Sequence, residues 1–236
     1  MRVIAHRGVS SLAPENTIAA FAKCLEVGAS WFEFDVRPLQ DGTLAVIHDD
    51  TLGRTTSGTG LVHETTFSTL RRLDAGIWFG DQFRFERVPE LTSVVELLNE
   101  TRLSANLELK PPLPHLREAV CEAVERVASK IKNPNKLLVS SFDSKVLERL
   151  SMFDLAYILD AAALRADFRG YMDRAKSMGC KAIHPEHHGV TEEMIGAMHE
   201  EGFEVNVWTV DDVARARELE SWGVDGIITN VPQDLM

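Results

Sequence analysis

The chain has 236 residues, of which 44% are hydrophobic and 26% charged, the profile of a soluble globular protein with enough apolar content for a large core. Its 25 Lys and Arg face 36 Asp and Glu, and the resulting charge of −11 repels phosphate backbones, so nucleic acid is excluded as an expected partner. An anionic substrate would have to be drawn in by a local cluster of cations or by a metal.

The first β-rich run, at residues 3–6, follows the N-terminus directly, with no apolar signal region before it. No stretch of about 18 apolar residues follows either, so the expected location is the cytoplasm, without stable membrane insertion. Further strands are predicted at residues 32–36, 105–110, 137–141, 156–159, 181–184, 204–209 and 226–229. Helices are predicted between them, at 15–27, 92–100, 116–131, 144–150, 167–178, 191–200 and 211–222. In the first, Ile18, Phe21, Ala22 and Leu25 form one apolar stripe. Gly179, Gly202 and Gly223 each follow a helical stretch, where a left-handed residue is wanted. Alternation of this kind with short connections predicts an α/β fold, either a closed parallel barrel or a doubly wound sheet.

One stretch breaks the rhythm. Residues 41–89 hold a β-like run at 44–48, a Thr/Gly-rich tract and a short helical piece near 67–73, too much for a simple connection. It reads as an insertion within a single domain of residues 1–236, with no linker separating two independent domains. The three cysteines, Cys24, Cys121 and Cys180, form no CxxC pair and leave an odd count, which argues for a reducing compartment.

The chemistry begins with Phe32-Glu33-Phe34-Asp35-Val36. Glu33 and Asp35 are two apart, so in a strand they share one face while the apolar neighbours share the other. If helices cover the outer face, both carboxylates point inward, where they need a cation or a proton to neutralise them. The alternative is a solvated edge strand. Asn106-Leu107-Glu108-Leu109-Lys110 repeats the pattern, and Pro111-Pro112 ends the strand just beyond Lys110. Glu108 would complete an oxygen-rich set suited to Mg²⁺ or Ca²⁺, and Lys110 could hold a phosphate oxygen; a plain Glu–Lys ion pair is the bland alternative. His6 and Arg7 close the first strand, and His48 closes the run at 44–48. Two histidines at strand ends beside carboxylates could serve as general base and acid, and the Arg7 fork suits a phosphate. With no HxH or HExxH spacing, zinc ligation by histidines is the weaker reading. His184 could face the site, whereas His187 and His188 read as loop residues. Trp208 could present a flat apolar wall at a barrel mouth or pack in the core. Thr229 and Asn230 could be rim residues or turn formers.

These segments together resemble the glycerophosphodiester phosphodiesterase family, in particular its short bacterial cytoplasmic members. The matching elements are His6-Arg7-Gly8, Pro14-Glu15-Asn16-Thr17, Glu33-Phe34-Asp35-Val36, Asp41-Gly42-Thr43, Val46-Ile47-His48-Asp49 and Leu107-Glu108-Leu109-Lys110. Val207-Trp208-Thr209-Val210 and the segment from Gly223 to Pro232 supply the rest. The resemblance implies a (β/α)₈ TIM barrel with a small insertion after the second barrel strand. It also implies Glu33, Asp35 and Glu108 around Mg²⁺ or Ca²⁺, His6 and His48 as the acid/base pair, and Arg7 and Lys110 on the phosphate. Glu15 would support the site and Trp208 would line the alcohol pocket. Two departures are visible: Asn230 where the family often has Asp, and Val88-Pro89-Glu90-Leu91 in place of a common Ile-Pro-Thr-Leu. Neither is expected to touch the catalytic set.

The implied reaction is hydrolysis of a small-molecule glycerophosphodiester to sn-glycerol 3-phosphate and an alcohol, a step in glycerol and lipid metabolism. Two other readings stand beside it, a lysophospholipase D-type phosphodiesterase and a non-catalytic barrel that binds glycerophosphodiesters. Apolar and acidic helix faces would suit a homodimer without specifying one.

Overall fold

The computed structural model describes residues 1–236, apart from the side chain of residue 135. Nine strands occur in chain order: β1 (Arg2–Ala5), β2 (Trp31–Pro38), β3 (Leu44–Val46), β4 (Ser104–Leu109), β5 (Leu137–Ser141), β6 (Asp154–Leu159), β7 (Ala182–Pro185), β8 (Glu204–Val207) and β9 (Gly226–Thr229). All except β3 run parallel in one sheet, which closes because β1 pairs with both β9 and β2. The chain is a (β/α)₈ TIM barrel. Strand β3 extends β2 beyond the barrel as an antiparallel partner, with Val36 opposite Val46 and Pro38 opposite Leu44.

The helices are α1 (Ile18–Val27), α2 (Phe67–Leu70), α3 (Leu91–Glu100), α4 (Arg117–Ala128), α5 (Ser144–Arg149), α6 (Ala161–Ser177), α7 (Glu192–Glu200) and α8 (Val213–Ser221). Thr17, Asp143, Asp160, Thr191 and Asp212 each cap one with a side-chain oxygen that accepts a backbone N–H of the first turn. Gly179, Gly202 and Gly223 all take left-handed φ values, as their positions after helices require.

Two predicted helix starts move by three residues or more. Helix α1 begins at Ile18, since residues up to Asn16 form turns in which Arg7 and Asn16 both have φ of 57°. Helix α6 begins at Ala161 instead of residue 167. Asp160 caps the first piece, and Asp167 leaves helical geometry (φ −161°, ψ 62°) and accepts from the Gly170 N–H, capping a second piece at the predicted start.

The main apolar core lies between strands and helices. Phe32 and Phe34, on the outer face of β2, meet Phe21 of α1, with Phe21 and Phe32 stacked at 4.5 Å. Inside the barrel, Leu138, Ala156 and Ala182 with Trp31 form a smaller apolar plug near the strand starts. Residues 41–89 fold over the C-terminal end of β2 around their own cluster, including Ile47, Leu52, Val62 and Leu70. No helix among the described residues is long and apolar enough to cross a membrane.

Candidate active site

Strand register builds the site. β2 and β4 align with Glu33 opposite Asn106 and Asp35 opposite Glu108, so the inward carboxylates of two neighbouring strands stand side by side. Glu33 and Asp35 are 2% and 0% exposed, and Glu108 is 9%. One oxygen from each lies within 4.8 Å of the others. Three carboxylates this close cannot all ionise unaided. Burial, then repulsion from Asp35 and Glu108, pushes Glu33 well above the ordinary carboxylate range, and burial with Asp35 raises Glu108. Burial also opposes ionisation of Asp35, but the Lys110 and Arg7 charges outweigh it and hold that carboxyl below its usual range.

Lys110 follows β4, its N–H bonded to Val36 O, and its ammonium lies against Glu108 Oε1 and 2.8 Å from Asp35 Oδ1. Both the ion pair and the inward set foreseen in the sequence are therefore present. Arg7 donates its backbone N–H to Glu33 Oε2 at 3.0 Å, and its guanidinium reaches Glu15 Oε1 at 2.8 Å and Asp35 Oδ2 at 3.4 Å. Gly8 lets this turn sit against α1: a Cβ there would lie 2.7 Å from Ala20, and φ is +79°.

The two histidines flank the carboxylates. His6 Nε2 lies 3.9 Å from Glu33 Oε2, while Nδ1 is 2.7 Å from Asn230 Oδ1. Burial and the Arg7 charge lower His6 to about 4, so its ring is neutral at pH 7. His48 turns Nδ1 to Asp49 Oδ1 at 2.7 Å. Burial lowers His48 as well, against the opposing pull of Asp35 and Asp49. A cavity of about 140 Å³ is lined by His6, Arg7, Glu33, His48, Glu108 and Lys110 on one side. Phe142, Ile158, His184 and Trp208 line the other. Trp208 donates its indole N–H to His184 O at 2.8 Å and packs edge-on against Phe142.

The donor set fits a hard divalent cation. It is all carboxylate oxygen, it includes the buried and otherwise unpartnered Glu33 Oε1, and its surplus negative charge needs neutralising.

The family model described as "Glycerophosphoryl diester phosphodiesterase family" matches residues 6–234. The chain belongs to this family. It is 34% identical over 237 residues to the glycerophosphodiester phosphodiesterase of Caldanaerobacter subterraneus subsp. tengcongensis, covering 99% of this chain and 96% of that one. An Oleispira antarctica phosphodiesterase in complex with the product sn-glycerol-3-phosphate superposes with a TM-score of 0.92 at 30% identity, covering 100% of this chain and 95% of that one. The glycerophosphodiester phosphodiesterase of Agrobacterium tumefaciens gives 0.79 at 30%, covering 99% and 97%.

The fold thus brings every residue that the sequence singled out for this phosphodiesterase family site to one end of the barrel, with Glu15 in a supporting position against Arg7. One expectation is corrected. Asn230 does touch the predicted catalytic set, since it hydrogen-bonds His6; closure of β9 onto β1 puts the two side chains together.

Other contacts had no signal of their own. Arg54, in the Thr/Gly tract, donates to both Glu15 and Asp49, which ties the His48–Asp49 part of the insertion to the Glu15–Arg7 side of the site. Asn16 donates to Asp35 Oδ2 at 2.7 Å and accepts the Asp35 N–H, which fixes the carboxylate. Asn16 stood inside a quoted motif; Arg54 and Phe142 stood in none.

Proposed function

We propose that this protein hydrolyses glycerophosphodiesters to sn-glycerol 3-phosphate and an alcohol, with divalent metal dependence and two-histidine acid/base catalysis. The observation that carries the reading is a cavity lined by Glu33, Glu108, His6, His48, Arg7 and Lys110, with the buried Asp35 beside the two glutamates, in a chain of this family. The product named for the Oleispira antarctica relative agrees with it.

Glu33, Asp35 and Glu108 would hold Mg²⁺ or Ca²⁺. Such an ion supplies Lewis-acid polarisation of a phosphoryl oxygen. Arg7 and Lys110 bind the non-bridging phosphate oxygens and offset charge that grows there in the transition state. His6, neutral and backed by an amide, takes the proton of the attacking oxygen; this is water, or the glycerol 2-hydroxyl, in which case the cyclic phosphate formed as the alcohol leaves is opened by water in a second step. His48, whose Nδ1 faces the Asp49 carboxylate, gives its Nε2 proton to the alcohol oxygen as the P–O bond breaks. Trp208 and Phe142 form the wall against the organic part of the substrate.

Phe142 lines the cavity yet is 37% exposed, and this apolar edge favours lysophospholipids as a second substrate class. The working unit is proposed to be one barrel domain, with residues 41–89 as an insertion holding the His48 side of the site. A cytoplasmic setting rests on three buried cysteines without a disulfide.

The test is release of sn-glycerol 3-phosphate from glycerophosphocholine by the purified protein, before and after EDTA, then with Mg²⁺ or Ca²⁺ restored. Turnover lost on chelation and regained with metal is expected. No release with either ion across several head groups would overturn the reading, and faster release from lysophosphatidylcholine would favour the second class.

A further inference from the structure

His6 is held by residues far from it in sequence. Asn230 directly follows β9, and Asp211 precedes the Asp212 cap of α8. Asn230 Nδ2 donates to Asp211 Oδ2 at 2.7 Å, and the Asn230 N–H donates to Asp211 Oδ1 at 2.8 Å. Thr229 Oγ1 donates to the same Oδ1 at 3.1 Å. Ser10 Oγ and His6 Nδ1 both lie at Asn230 Oδ1, at 2.9 and 2.7 Å.

The two ends of an asparagine amide are distinguished only by their partners. Here the partner decides, because an ionised carboxylate only accepts. Flipping the amide would set its oxygen against Asp211 Oδ2, two acceptors at hydrogen-bond distance. The Asn230 oxygen therefore faces His6. At 2.7 Å it requires a hydrogen on His6 Nδ1, which leaves the Nε2 lone pair on the Glu33 side of the ring.

We propose that Asp211 and Asn230 are positioning residues that together hold His6 in its Nδ1–H tautomer, with Nε2 free to take a proton in the cavity. Asp211 orients the Asn230 amide, and Asn230 orients the ring. The catalytic consequence rests on His6 being the base proposed above; the tautomer assignment does not.

The experiment is a long-range ¹H–¹⁵N correlation spectrum of metal-free protein labelled with ¹⁵N-histidine, near neutral pH, with His6 identified by its loss in His6→Gln. The wild type should show His6 protonated at Nδ1 and bare at Nε2. Asn230→Leu and Asp211→Ala should each convert much of the signal to the other tautomer. They should lower kcat on glycerophosphocholine about 10- to 100-fold, with KM nearly unchanged. Asp211 is exposed, so its variant serves if Asn230→Leu does not fold. The double exchange Asp211→Asn with Asn230→Asp keeps an amide against a carboxylate and an acceptor against His6, and should restore the Nδ1–H form and most of kcat. A wild-type His6 protonated at Nε2 would overturn the proposal, as would a tautomer unmoved in both single variants. Tautomer loss with unaltered kcat would uphold the positioning and sink the base assignment instead.

Discussion

The two faces of β2 show how one strand serves stability and chemistry at once. Outward, Phe32 and Phe34 pack with Phe21 in the shell between strands and helices. Inward, Glu33 and Asp35 join Glu108 in a buried set that Lys110 and Arg7 neutralise only in part. The outer face is a net source of folding free energy. The burial and mutual repulsion of Glu33 and Glu108 oppose folding, and such strain is expected where a site is built for binding instead of stability.

Substitutions on the two faces should separate cleanly. On the inner face, Glu108→Gln should lower kcat about a thousandfold or more, because Lewis-acid help is worth several kcal/mol and each 1.4 kcal/mol or so is tenfold in rate. Steady-state kinetics with saturating Mg²⁺ would check it. At its edge, His48→Gln should cost about 10²- to 10⁴-fold in kcat through loss of proton transfer, with Mg²⁺ affinity by calorimetry little changed. On the outer face, Phe21→Ala should cost about 3–5 kcal/mol of stability in denaturant melts while kcat well below the melting temperature stays within about twofold.

The smallest effect sharpens the contrast through pH. Glu33 and Glu108 have folded pKa values above their unfolded ones, so between the two the folded state carries more protons. Stability of the metal-free protein from these groups therefore falls as pH rises above the ordinary carboxylate range. His6 runs the other way: lowered to about 4, it takes stability away as pH falls below its ordinary value near 6.5. The rise in Tm on adding Mg²⁺ or Ca²⁺ should accordingly grow from pH 5.5 to pH 8, roughly. Glu33→Gln should raise the metal-free Tm by a few degrees, about 2–4 °C per kcal/mol for a chain of this size, and remove most of the metal response.

Much of the inner face was legible in the sequence because strand periodicity is strict: once helices cover Phe32 and Phe34, Glu33 and Asp35 can only point inward. The same logic placed Glu108 and Lys110, and the Pro111-Pro112 stop located them at the rim. Contacts made by closure were not legible. Asn230 and His6 are 224 positions apart and meet only because β9 closes the ring on β1. Arg54 lies in a tract whose composition suggested only a loop, and its two carboxylate partners come from separate segments. The start of α1 lies later than the apolar periodicity suggests because Asn16 takes left-handed geometry, which asparagine tolerates, and Thr17 then caps the helix.

Whether the inner carboxylates form a cation cage is read from anomalous diffraction by crystals grown with Mn²⁺ in place of Mg²⁺. A cage gives an anomalous peak among Glu33, Asp35 and Glu108 that disappears in Glu108→Gln crystals. A metal peak at His184, His187 or another group with the carboxylate set empty would contradict it.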